Sequence, residues 1–175
     1  MSIEDLGILI TKELNNNKKL HTFDTMFRKY NGNDLNDHIK NMINKYNSDI
    51  DNKKECTTYT KKLLFTSDRI DIYLVMWSPL TSCETHDHPE EGCLLKPLDE
   101  GLLEYEYFFC DKSLVLKQIN RLVTYDIGYR QGKNDLHMIY NSNNALAFSV
   151  HIYAPPGYKP IYYKDSFKPF PHKKK

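Results

Sequence analysis

His86-Asp87-His88 places two imidazoles one residue apart. On an extended strand, side chains alternate between faces with a period of two, so both rings project from one face. Two inward imidazoles are two legs of a metal tripod. His137, in the run Leu136-His137-Met138-Ile139-Tyr140-Asn141, supplies a third. Three neutral imidazoles on a ferrous ion leave three adjacent octahedral positions open, where the familiar oxygenase tripod uses two His and one carboxylate. A centre without a carboxylate ligand keeps the ion's full positive charge and frees a position. Such a site suits an anionic substrate that binds through two atoms. The same three nitrogens suit zinc equally well, and the ligand set alone does not choose between the metals.

The elements that must hold these residues change character along the chain. In the first fifty residues, Ser2 with Asp5 three positions on is a capping-box start, and Ile3, Leu6, Ile10 and Leu14 form one stripe. Phe23, Met26, Phe27 and Tyr30 repeat the pattern after Thr22, and Leu35, Ile39, Met42, Ile43 and Tyr46 repeat it after Asp34. From Tyr59 the period becomes two. Ile70, Ile72, Leu74 and Met76 face one way, and Asp71, Tyr73, Val75 and Trp77 the other. Further short strands are expected at 84–88, 93–98, 102–109, 113–119, 121–125, 136–140 and 145–153, with turn signals at Pro79, Pro89, Gly92, Gly101, Gly128 and Gly132. Helices followed by many short strands predict an α+β, mainly β, domain: N-terminal helices packed on a jelly-roll β-barrel of the cupin kind. A His-x-His pair followed by His-x-x-x-Asn is the ligand arrangement of such a barrel. The 175 residues read as a single domain, with a helical part at 1–50, the barrel at 58–156 and a tail at 157–175.

Composition narrows the function classes. Aromatic residues make up 13% of the chain and 13 are tyrosines, which suits strands and a partly polar interior. A formal net charge of +1 gives no electrostatic argument for a nucleic-acid partner. No apolar run approaches a membrane span, and no secretory leader precedes the cysteines. Cys56, Cys83, Cys93 and Cys110 form no Cys-x-x-Cys pair, so free thiols in a reducing compartment are expected. The expectation is a cytoplasmic monomer whose terminal Lys173-Lys174-Lys175 is a solvated tail.

From about Tyr59 to Pro156 the chain resembles the cysteine dioxygenase family, the thiol dioxygenases of the cupin superfamily. The resemblance rests on Tyr59-Thr60-Lys61, Trp77, His86-Asp87-His88, Cys93, Leu136-His137 and Ser149-x-His151-x-Tyr153-x-Pro155-Pro156. It implies one Fe(II) per chain held by His86, His88 and His137. Cys93 stands where cupins usually carry a ligating Glu, and Glu90 and Glu91 come before that slot. The resemblance further implies a Cys93–Tyr153 thioether as a protein-derived cofactor, made by the enzyme's own oxidative chemistry. The activity it implies is oxidation of L-cysteine by O2 to cysteine sulfinate, with thiol and O2 as partners. Ser149, His151 and Tyr153 then alternate onto one face as a hydrogen-bonded row that aims the Tyr153 hydroxyl at the substrate. Trp77 reads as wall packing, and Ala154-Pro155 as a candidate cis bond. Tyr59 and Lys61 share a strand face as substrate-binding residues.

The chain departs from the family at Lys61, which stands where the family carries an arginine for the substrate carboxylate. A lysine is a point charge on a flexible stem and gives a weaker, less oriented hold. That predicts a raised KM for cysteine or another small thiol such as 3-mercaptopropionate or cysteamine. Arg69, Arg121 and Arg130 are candidate substitutes. The short tail after Pro156 predicts a more open site mouth. A non-catalytic, metal-binding cupin is the alternative of a different class.

Overall fold

The protein is described from a computed structural model at residues 1–54, 57–111 and 113–163. Cys56 and Lys173 to Lys175 lie outside the described residues. Three helices come first, α1 (Ile3–Asn15), α2 (Asp24–Lys29) and α3 (Asn36–Asp51). Ser2 caps α1: its hydroxyl accepts from the Asp5 amide, and the Asp5 side chain accepts from the Ser2 amide. The stripe of Ile3, Leu6, Ile10 and Leu14 is buried.

The next two helices start differently from the sequence pattern. Leu20–Phe23 winds as a 3-10 turn because the Thr22 hydroxyl donates back to the Lys19 carbonyl instead of capping α2. Asp34 does not cap α3 either. Its carboxylate accepts from the Ile3 amide (2.7 Å) and the Tyr30 hydroxyl (2.6 Å), and so ties the start of α1 to the α2–α3 connection.

Ten strands follow: β1 (Tyr59–Thr66), β2 (Asp71–Trp77), β3 (Thr85–His86), β4 (Cys93–Pro97), β5 (Leu102–Cys110), β6 (Ser113–Arg121), β7 (Gly128–Arg130), β8 (Leu136–Asn141), β9 (Ala147–Tyr153) and β10 (Tyr162–Tyr163). They form two five-stranded sheets, ordered β1-β2-β9-β4-β7 and β10-β3-β8-β5-β6. All the neighbouring pairs are antiparallel.

The period-two reading of β2 separates two cores. Ile72, Leu74 and Met76 join Leu94, Val150 and Ile152 beneath the helices, together with Leu6, Ile10 and Phe27. Val75, Trp77 and Leu95 pack with Leu102 and Ile139 in the second cluster, which joins the two sheets. Lys96 fastens helix to sheet. Its stem is fully buried, and its ammonium donates to the carbonyls of Phe27 (2.7 Å), Arg28 (2.8 Å) and Tyr30 at the end of α2. Carbonyls at the end of so short a helix have few partners within it, although Phe27 also accepts from the Tyr30 amide (3.2 Å).

Three expectations along the barrel need correction. No strand forms over 121–125: β6 ends at Arg121, and the chain turns at Tyr125 (φ 64°), whose amide donates to the Pro97 carbonyl. The strand expected at 84–88 contracts to Thr85–His86, because Asp87 and His88 turn to other partners before Pro89. The tail does not leave the mouth open. Its described part folds back as β10 on β3, with Tyr162 opposite His86. β7 and β10, three and two residues long, carry too short a pattern for periodicity to find. The Ala154–Pro155 bond is cis, and no described helix is long and apolar enough to cross a membrane.

Candidate metal centre

Pairing of β3 with β8 sets His86 directly opposite His137. His88 joins them from the loop beyond β3, so strand alternation is not what aligns it. It is held from outside the strand: its amide donates to the Gly132 carbonyl (3.2 Å) and its Nδ1 to the Asp135 carbonyl (2.6 Å). The three rings are buried with centroids 4.4–5.3 Å apart, and one donor atom from each lies within 4.8 Å of the others.

Each ring is oriented through Nδ1. His86 Nδ1 donates to the Glu84 carbonyl (2.9 Å), His88 Nδ1 to the Asp135 carbonyl, and His137 Nδ1 to the Glu104 carboxylate (2.7 Å). Carbonyls and carboxylates only accept, so the ring protons sit on Nδ1 and the three Nε2 atoms present lone pairs. Burial, and then His137 nearby, pushes His86 down to about 3 and His88 well below the usual imidazole range. The Nε2 atoms of His88 and His137 face each other at 3.1 Å. Two lone pairs at that separation repel, and a shared cation removes the repulsion. The donor set therefore fits a metal ion. Asn141 is no part of it, since its amide donates to the carbonyls of Trp77, Ser78 and Ala145 and braces a turn.

A narrow cavity of about 10 Å³ opens beside His86, lined among others by Tyr59, Lys61, Cys83, His151, Tyr153 and Tyr162. On its wall, Trp77 Nε1 donates to Ser149 Oγ (2.8 Å), Ser149 Oγ meets His151 Nε2 (2.9 Å), and His151 Nδ1 meets the Tyr153 hydroxyl (3.4 Å). The indole is a donor only, so Ser149 accepts from Trp77. The Tyr153 hydroxyl also bonds the Cys93 thiol. Burial, and then Lys61, holds His151 well below its usual range, and burial with the Cys93 thiol holds Tyr153 well above its own. Trp77 is thus the head of the row as well as wall packing.

Cys93 and Tyr153 are direct partners across β4 and β9. The turn before Cys93 needs Gly92 (φ 104°): a Cβ there would come 2.5 Å from the Tyr129 ring. Burial pushes the Cys93 thiol up to about 12. Lys61 reaches the cavity mouth with its ammonium 5.3 Å from the Tyr153 ring centre and 5.6 Å from that of Tyr59. The residue as a whole is exposed, while desolvation of the ammonium lowers its pKa and the thiols Cys93 and Cys83 partly offset this. No described carboxylate pairs with it.

None of the three arginines substitutes for it. Arg69 bonds the Leu14 carbonyl, Asn15 and Glu91, Arg121 pairs with Glu100, and Arg130 is engaged with Glu104, Glu106 and Asp135. Sequence reasoning missed Glu104, Cys83 and Tyr162. Cys83 accepts from the Ile139 amide (3.2 Å) and lies 3.9 Å from His86 Nδ1, although its spacing reads as that of an ordinary thiol. Tyr162 comes from the tail, with its ring 5.9 Å from His86 and its hydroxyl 3.5 Å from that of Tyr59.

Two antiparallel five-stranded sheets, one of them presenting three convergent imidazoles from β3, β8 and the loop after β3, define a metal-binding cupin. Residues 18–165 match the family described as cysteine dioxygenase type I, and the chain belongs to that family. It is 27% identical over 103 residues to cysteine dioxygenase type 1 of Rattus norvegicus, covering 56% of this chain and 52% of the relative. The Homo sapiens protein of the same name is 28% identical over the same length and coverage. The chain spans about half the length of the curated relatives it matches. Among solved structures, the cupin-2 domain Rru_A2000 from Rhodospirillum rubrum is 12% identical with a TM-score of 0.48, covering 62% of this chain and 67% of that one.

Proposed function

We propose that the chain is an Fe(II)-dependent thiol dioxygenase that converts L-cysteine and O2 to cysteine sulfinate. The observation that carries this reading is that His86, clustered with His88 and His137, lines one cavity together with Tyr153 and Lys61. His86, His88 and His137 would hold the iron, which when bound supplies activation of O2 and acidification of the substrate thiol. Lys61 meets the substrate carboxylate as a point charge, and Tyr59 lines the same mouth. The row from Trp77 to Tyr153 keeps the phenol protonated and aimed, so Tyr153 donates to the negative charge that gathers at sulfur and oxygen. Tyr162 covers the cavity and restricts water.

Cys93 faces Tyr153 for a thioether. Its formation removes one hydrogen from the Cys93 thiol and one from the ring, with O2 as the oxidant, and leaves the chain two hydrogens lighter. The reading places the protein in a reducing compartment such as the cytoplasm, as a monomer without nucleic-acid or membrane partners.

One observation favours a second substrate. Among the described residues, the cavity lining holds a cation for a carboxylate and no anion for an amine. The mercapto acid 3-mercaptopropionate therefore fits beside cysteine, while cysteamine lacks the group that Lys61 would hold. Oxygen uptake with Fe(II) across these three thiols, with mass spectrometry of the sulfinate, tests both readings. Tyr153→Phe should lower turnover about 100-fold and leave the chain without the two-hydrogen loss. Unchanged rates in that variant would refute the role of the ring. Fe(II) uptake without consumption of O2 would favour a non-catalytic cupin.

A further inference from the structure

The geometry points to Arg130 as the residue that positions two of the three candidate ligands at once; this rests on the metal-centre reading above. Arg130 lies on β7, at the edge of one sheet, and its guanidinium crosses to β5 of the other. Nε and Nη2 donate to the two oxygens of Glu104 (2.8 and 2.5 Å), and Glu104 Oε1 accepts from His137 Nδ1 (2.7 Å). Nη1 donates to the Asp135 carboxylate (3.3 Å), and the Asp135 main-chain carbonyl accepts from His88 Nδ1 (2.6 Å). Nη2 also reaches Glu106 (2.5 Å), which Lys117 and Asn120 join from β6.

The chemistry follows from the fork. A planar guanidinium fixes a carboxylate in plane and in depth, which an ammonium does not. Glu104 is 5% exposed. Its oxygens accept from both the Arg130 fork and His137 Nδ1. A carboxylate acceptor on Nδ1 makes the Nε2 of His137 a stronger donor. The centre has no carboxylate among its candidate ligands, and Glu104 supplies the missing negative charge one imidazole further out. His86, oriented by the Glu84 carbonyl, lies outside this arrangement. Arg130 is a positioning residue for the metal and has no part in substrate binding.

The test is Co(II) titration of the metal-free protein, read by visible absorption and by chelator competition, with Arg130→Lys and Glu104→Gln beside the wild type. Arg130→Lys keeps the charge and loses the fork, and Glu104→Gln keeps the size and loses the charge. Both are expected to unfold at the wild-type urea midpoint or slightly below it. Both should bind Co(II) 10- to 100-fold more weakly, with a changed absorption band. A merely structural contact would shift the midpoint and leave affinity and band in place. Folded variants whose affinity stays within twofold of the wild type overturn the inference and leave the centre itself standing. Should Arg130→Lys fail to fold, Glu104→Gln decides alone. A wild type that takes up no Co(II) overturns the centre and the inference together.

Discussion

Lys61 stands at the cavity mouth among aromatic rings, with Tyr59 and Tyr153 within 6 Å of its ammonium. On the proposed reading its charge meets the substrate carboxylate, so Lys61→Ala should raise KM for cysteine about tenfold or more with a smaller change in kcat. Lys61→Arg, which restores a planar fork, should lower it. Steady-state oxygen uptake reads both, and a rise in the arginine variant would mean that cysteine is not the preferred thiol.

His151 carries a pH prediction of its own. Burial, then Lys61, holds its folded pKa well below the ordinary 6.5, so the folded ring stays neutral where the unfolded one takes a proton. Between pH 6.5 and the folded value the unfolded chain binds more protons, and stability falls as the pH falls. At pH 5.5 the loss from this one group is about 1 kcal/mol relative to neutral pH. Urea midpoints at pH 7 and 5.5 should therefore drop less in His151→Gln than in the wild type. An equal drop in both would refute the buried neutral ring.

At the scale of elements, the short β10 decides how closed the site is. Asp87 sits between two candidate ligands, yet its carboxylate serves the tail, accepting from the Tyr158 hydroxyl (2.8 Å) and the Ile161 amide (2.7 Å). This contact carries Tyr162 over His86. Tyr158→Phe removes one of the two bonds, worth about 1 kcal/mol, and should speed amide exchange over 158–163 about fivefold while the core strands keep their protection. Unchanged exchange there would show that the strand pairing alone holds the tail. The α1 cap and the alternation of β2 were legible in sequence because both are local rules between near neighbours. The strand expected over 121–125 failed for a converse reason. Pro97, far along the chain, takes the Tyr125 amide and turns the backbone.

For the molecule as a whole, the β3–β8 pairing and the loop after β3 bring the candidate ligands together, so a bound ion should add to stability by mass action. With metal at about 100 times its Kd, the gain is about 2.7 kcal/mol, or roughly 5–10 °C in the unfolding midpoint for a chain of this size. Chelation should remove it in the wild type and have no effect in His137→Ala; an equal response in both would place the metal elsewhere.

The ligand types, their one-residue spacing and the Ser149–His151–Tyr153 row could be read from the chain, because donor chemistry belongs to the side chain and strand alternation is local. The facing of His88 Nε2 and His137 Nε2 at 3.1 Å belongs to the tertiary structure alone. It depends on the Asp135 carbonyl, the Glu104 carboxylate and the Arg130 guanidinium, which meet only when β5, β7 and β8 take their registers. A ring's free nitrogen is set by what the other nitrogen touches, and those partners lie 33 and 47 residues away along the chain.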